Sequence, residues 1–279
     1  HAVLNCCQQL EQEGWEVTRI LPDRNGDISA EAVLAAVRPD TALVSVMMVN
    51  NELGNIYPIA DIARGLKAVN DKTLLHTDAV QGFLKIPFSA RTLGADFITL
   101  SGHKIGAPKG IGALYVKKGV HIPPFMLGGG QEKGFRSGTE SVPLICGFGA
   151  AVKKLAPNVS ANFEKAADIQ AYLIEKCNEN GDVFVNSRKG GSPYVTSIAV
   201  NGLKSEVLLH YLEKREIYVS SGSACSKGKK SSVLKEFRYP EQSLDSTIRI
   251  SFSIDTTKAD IDALMEGIKS AQNDLCKVR

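Results

Sequence analysis

Two spacings of apolar residues alternate along the chain. Residues 3–13 follow a helical period and stop at Gly14. Trp15 to Leu21 has strand character, with Val17 and Ile20 apolar, and Arg24-Asn25-Gly26-Asp27 signals a turn. Ser29 is placed to cap a helix whose face carries Val33, Leu34 and Val37 and which Pro39 ends. Thr41 to Val49 is one continuous apolar run, the pattern of a strand covered on both sides in a parallel sheet. Pro58 suits a helical first turn before Ile59, Ile62, Ala63 and Leu66. Short strand patterns follow at Thr73 to Asp78, at Phe97 to Leu100 and over 111–117. This alternation predicts an α/β fold, a mostly parallel sheet with flanking helices.

Beyond Gly128-Gly129-Gly130 the pattern changes. Val142 to Leu155 is helical, composition shifts at Pro157-Asn158, and a long helical pattern runs to Asn180. Strand patterns at Val183 to Asn186, Thr196 to Val200 and Thr247 to Ser253 are interleaved with helices over Ser205 to Arg215 and Lys258 to Leu275. In the last helix Ile261, Leu264, Met265 and Ile268 share one face. The expected division is a large domain over 1–157 and a smaller α+β domain over 158–279.

Two strand ends carry candidate chemistry. The run Phe97 to Leu100 stops in Ser101-Gly102-His103-Lys104, among small and polar residues. A lysine at a strand mouth can be desolvated enough to attack a carbonyl; a solvated lysine in a surface turn is the plainer alternative. The run Thr73 to Thr77 stops on Asp78. In open parallel sheets ligands bind beyond the carboxyl ends of the strands. An aspartate and a lysine there suit a pyridoxal phosphate site, with the carboxylate on the pyridine nitrogen. Asp78 as a helix cap is the competing reading.

Composition narrows the class. A chain of 279 residues with 43% hydrophobic and 23% charged residues can bury a substantial core. A net charge of +3 gives no case for nucleic acid, and no apolar run is long enough to span a bilayer. Six cysteines are scattered without paired metal spacing, which points to reduced thiols, a cytoplasmic location and no metal site. Cys146 and Cys177 lie in helical patterns and are expected to be packing residues.

Ser101-Gly102-His103-Lys104, with Asp78 and Gln81 before it, resembles the cysteine desulfurases, a branch of the class V aminotransferase family of pyridoxal phosphate enzymes. The resemblance extends through Val49-Asn50-Asn51-Glu52, Gly128 to Glu132, Arg136-Ser137-Gly138-Thr139, Ser220 to Cys225 and Ile248-Arg249. It implies the type I fold of these enzymes for the large domain. It also implies an N-terminal segment, with a further strand and a phosphate-binding turn, that the family carries ahead of His1.

The resemblance implies roles residue by residue. Lys104 carries the cofactor, Asp78 holds the ring nitrogen, and Asn51 and Gln81 meet the phenolic oxygen. Ser101 and His103 bind the phosphate, and Thr139 reaches the phosphate of a neighbouring subunit, which makes a homodimer part of the site. His1 stands where the family stacks a histidine on the ring; a terminal residue without a role is the alternative. Arg249, with Asn51, holds the substrate carboxylate. Cys225 takes sulfur from L-cysteine, leaving L-alanine, and passes it to an acceptor such as an iron–sulfur scaffold protein. Lysines 227, 229 and 230 beside it favour the thiolate. Met48 and Ser141 replace residues common in the family. Two alternatives remain at this stage: another class V enzyme, an aminotransferase or selenocysteine lyase, and a non-catalytic truncated homologue that binds no cofactor.

Overall fold

The computed structural model describes residues 2–221, 232–237 and 241–275. In chain order the elements are α1 (Ala2–Gln12), α2 (Ala30–Ala35), β1 (Leu43–Met47), α3 (Ile59–Val69), β2 (Leu74–Asp78), α4 (Ala90–Leu93), β3 (Phe97–Ser101) and β4 (Gly112–Val116). They continue with α5 (Val142–Leu155), α6 (Val159–Glu179), β5 (Val183–Val185), β6 (Val195–Val200) and α7 (Ser205–Glu213). The last are α8 (Ser232–Glu236), α9 (Glu241–Ser246), β7 (Thr247–Ser251) and α10 (Lys258–Asp274).

The chain divides into two compact units. One comprises Val37–Val49 and Tyr57–Phe163; the other comprises His1–Ala36, Asn50–Ile56 and Glu164–Arg279. A single cut at 157/158 does not describe this division. The short insert Asn50–Ile56 joins the second unit through backbone bonds: Ser192 N donates to Gly54 O at 2.7 Å, and Ser187 Oγ donates to Leu53 O at 2.7 Å. Such pairings are long-range and leave no local pattern.

The first unit holds a four-stranded sheet in the order β1-β2-β3-β4, parallel across the first three strands and antiparallel at β4. Helix α3 buries Ile59, Ile62, Ala63 and Leu66, the face its 3.6-residue period marks out. Leu75 and Thr77 are the buried face of β2, so by alternation His76 and Asp78 share the other face. Strand β1 corrects one expectation. Leu43, Ser45 and Met47 are exposed while Val44 and Val46 are half-buried, so it is covered on one side rather than both.

The second unit has an antiparallel sheet, β5-β6-β7, with all six residues of β6 buried. Its core gathers Leu173 and Cys177 of α6, Leu208 and Leu212 of α7, Ile248 and Ile250 of β7, and Ile261, Leu264 and Ile268 of α10. Thr257 caps α10 in a reciprocal pair with Asp260. Two sequence expectations fail here and in α5. Trp15 to Leu21 is not a strand, and Trp15 and Leu21 are exposed. Strand-like composition forms no strand without a partner edge to pair with. Cys146 is exposed because α5 buries none of its residues, whereas Cys177 is fully buried as expected.

Candidate active site

Parallel pairing brings the first group of candidates to one edge of a sheet. Strands β1, β2 and β3 end at Met47, Asp78 and Ser101. Met47 is the register partner of Asp78, and Asp78 is the partner of Thr99, two residues before Ser101. The carboxylate of Asp78 and the turn bearing Lys104 therefore follow neighbouring strands at their carboxyl ends, where ligands of open parallel sheets bind. Asp78 is half-buried, and its Oδ1 accepts from Val80 N at 3.0 Å, which fixes the side chain at the start of the next turn.

The chain after β3 turns at once into a single 3-10 turn, Gly102–Ile105. Gly106 ends it at φ 78°, a left-handed conformation that glycine adopts without strain. Ile105 is buried and anchors the turn, leaving Lys104 half-buried. Ser101 Oγ shares a hydrogen bond of 2.8 Å with His103 Nδ1. Burial first, then the ammonium groups of Lys104, Lys109 and Lys85, push the His103 pKa down. A neutral imidazole, a hydroxyl and several ammonium groups together form a donor set for an anionic ligand.

Gln81 lies in the turn after Asp78, half-buried, and its Oε1 accepts from Lys85 Nζ at 3.4 Å. Behind Asp78 on the same face, His76 joins three strands: its Nδ1 meets Ser45 Oγ at 2.8 Å and its Nε2 meets Thr99 Oγ1 at 2.6 Å. Burial lowers the His76 pKa, and the Asp78 carboxylate opposes that shift. Sequence reasoning passed over His76 and Lys85. The His-Thr-Asp order carried a usable signal, since a period of two puts the first and third residues on one face.

The second unit holds Arg249 and Asn51. Arg249, on β7, donates from Nη1 to the Asn51 carbonyl at 3.1 Å. Its Nε is buried without a hydrogen-bond partner among the described residues. Burial lowers the Arg249 pKa, and the buried carboxylate of Glu52 counters that. Asn50 builds the turn, its Oδ1 accepting from Glu52 N at 2.9 Å and from Leu53 N at 3.0 Å. A partly desolvated guanidinium with unused donors is suited to a carboxylate. Thr139 is exposed on the connection after the Met126–Arg136 bridge. His1 and Cys225 lie outside the described residues.

Residues 1–264 match the aminotransferase class-V family. The chain is 39% identical over 274 residues to a cysteine desulfurase of Nostoc sp., covering 95% of this chain and 67% of the relative. It is 40% identical over 262 residues to a putative cysteine desulfurase, IscS 1, of Bacillus subtilis, covering 92% and 69%. Among solved structures, a NifS-like protein superposes with a TM-score of 0.91 at 33% identity, over 98% of this chain and 73% of that one. SspA in complex with cysteine gives 0.75 at 35% identity, over 90% and 70%. The chain belongs to the aminotransferase class-V family. Within it, the chain groups with the cysteine desulfurases and has the type I fold of pyridoxal phosphate enzymes. It spans about two thirds of the length of these curated relatives.

Proposed function

We propose that this protein is a pyridoxal phosphate-dependent cysteine desulfurase, which converts L-cysteine to L-alanine and leaves a persulfide on Cys225. The observation that carries the reading is the pairing of β2 with β3, which sets Asp78 and the Ser101–Lys104 turn at adjacent strand ends. The donor set there fits the cofactor: an amine, a carboxylate, a carboxamide, and a hydroxyl–imidazole pair in a field of ammonium groups. Lys104 would hold it covalently through its ε-amine and Asp78 would bind the pyridine nitrogen. Ser101 and His103 would donate to its phosphate, and Gln81 and Asn51 to its phenolic oxygen. When bound, pyridoxal phosphate supplies an electron sink for negative charge at the substrate α-carbon.

Arg249 binds the carboxylate of L-cysteine and fixes its orientation. The Cys225 thiolate attacks the substrate sulfur. A sulfur–sulfur bond forms as the carbon–sulfur bond breaks, and carbon takes a proton in place of sulfur. Thiol plus cysteine thus gives persulfide plus alanine, with no outside oxidant. The persulfide passes to an acceptor thiol, for which we propose an iron–sulfur scaffold protein. Transamination needs no such thiol, so Cys225 favours the desulfurase over an aminotransferase.

Phe125 and Leu127 are 88% and 87% exposed on the connection leading to Thr139. Apolar exposure of that degree supports a homodimer in which Thr139 serves the partner's phosphate. The free thiols of Cys6, Cys7, Cys146 and Cys177 support a cytoplasmic location.

The test is a visible spectrum with added pyridoxal phosphate, joined to assays of alanine and persulfide. The protein is expected to turn yellow and Lys104→Ala to stay colourless. Cys225→Ala is expected to keep the colour and lose alanine formation. Ordinary cysteine turnover by Cys225→Ala would refute the persulfide step.

A further inference from the structure

The turn after Asp78 contains a residue that the reading above leaves without a role. Its path is unusual. Gly82 N and Phe83 N both donate to Ala79 O, at 2.9 and 2.8 Å, and Lys85 N and Ile86 N both donate to Gly82 O, at 3.0 and 2.9 Å. The second of these turns carries one left-handed residue, at its third position. That residue is Leu84, at φ 55°. A leucine rarely adopts this conformation, and such outliers persist where the surrounding structure demands them.

The effect of the reversal is to bring Lys85 back over Gln81. Lys85 is half-buried, and its Nζ donates to Gln81 Oε1 at 3.4 Å. An ammonium only donates, so the carboxamide must present its oxygen to Lys85 and its NH2 elsewhere. The same ammonium acts on His103, which ties Lys85 to the cluster that follows β3.

We propose that Lys85 is a positioning residue: by taking the Gln81 oxygen it commits the Gln81 NH2 to donating to the phenolic oxygen of pyridoxal phosphate. This rests on the reading of Gln81 as that oxygen's partner. Without Lys85 the amide can turn over and present an oxygen to an anionic oxygen, which repels it.

Two measurements test it. In the cofactor-free protein, the Gln81 side-chain amide resonance, assigned by its loss in Gln81→Ala, is expected to move in Lys85→Met and to stay in Lys85→Arg. In titrations with pyridoxal phosphate, Lys85→Met is expected to weaken binding about 10-fold and Lys85→Arg less than about 3-fold. In a Gln81→Ala background Lys85→Met should add nothing beyond about 2-fold, because the group it orients is gone. An unmoved Gln81 resonance in Lys85→Met overturns the inference, and so does an undiminished effect in the Gln81→Ala background. If the parent protein takes up no pyridoxal phosphate, the cofactor reading fails, and the resonance still decides whether Lys85 orients Gln81.

Discussion

Ser220 and Arg249 exchange both backbone hydrogen bonds: Ser220 N donates to Arg249 O at 3.1 Å, and Arg249 N donates to Ser220 O at 2.6 Å. Arg249 is the residue we propose to hold the substrate carboxylate. Arg249→Lys should raise KM for L-cysteine roughly 10- to 100-fold, the effect of losing about 1.5–3 kcal/mol of charged hydrogen bonding. Steady-state kinetics would check this, and an unchanged KM would remove Arg249 from the substrate site.

His76 should make stability depend on pH. Burial holds its folded pKa below that of the unfolded chain, which lies near about 6.5. The folded state therefore binds fewer protons in that range. The stabilisation is present above the unfolded value and is lost as pH falls below it. Urea midpoints at about pH 7.5 and about pH 5.5 should differ in the parent and converge in His76→Asn. Loss of its two hydrogen bonds should itself cost about 1–2 kcal/mol.

The thiols should separate sharply in reactivity. Cys177 is fully buried, and burial pushes its pKa up to about 12. Cys6 and Cys146 are exposed. A maleimide near about pH 7 should label Cys6 and Cys146 in the native protein and Cys177 only after denaturation, as peptide mapping would show. Native labelling of Cys177 would mean that the core of the second unit opens readily.

Gly54 should tolerate no side chain. Its φ is 82°, and an added Cβ would lie 2.8 Å from Val195 O and 3.2 Å from Ser192 O. Gly106 has φ 78° but open space around it. Gly54→Ala should cost more than about 2 kcal/mol, by strain and clash together, and Gly106→Ala about 1 kcal/mol, by strain alone. Denaturant titration of both variants would separate the two terms.

Much of this protein was legible in order along the chain. The cap at Ser29, the apolar face of α3 and the strand ends at Asp78 and Ser101 follow from bonds and spacings of a few residues, so the sequence alone determined them. The motif around Lys104 was legible for the same reason, since one strand and one turn contain it. The tertiary structure decided what depends on a distant partner. It formed no strand over Trp15 to Leu21, left Cys146 exposed, and gave Asn50–Ile56 to a different unit from β1 before it and α3 after it. It set the Asn51 carbonyl against Arg249, nearly two hundred residues away. It also turned Lys85 back onto Gln81 through a strained leucine. Periodicity reports which face of an element is apolar; only the folded chain decides what that face meets.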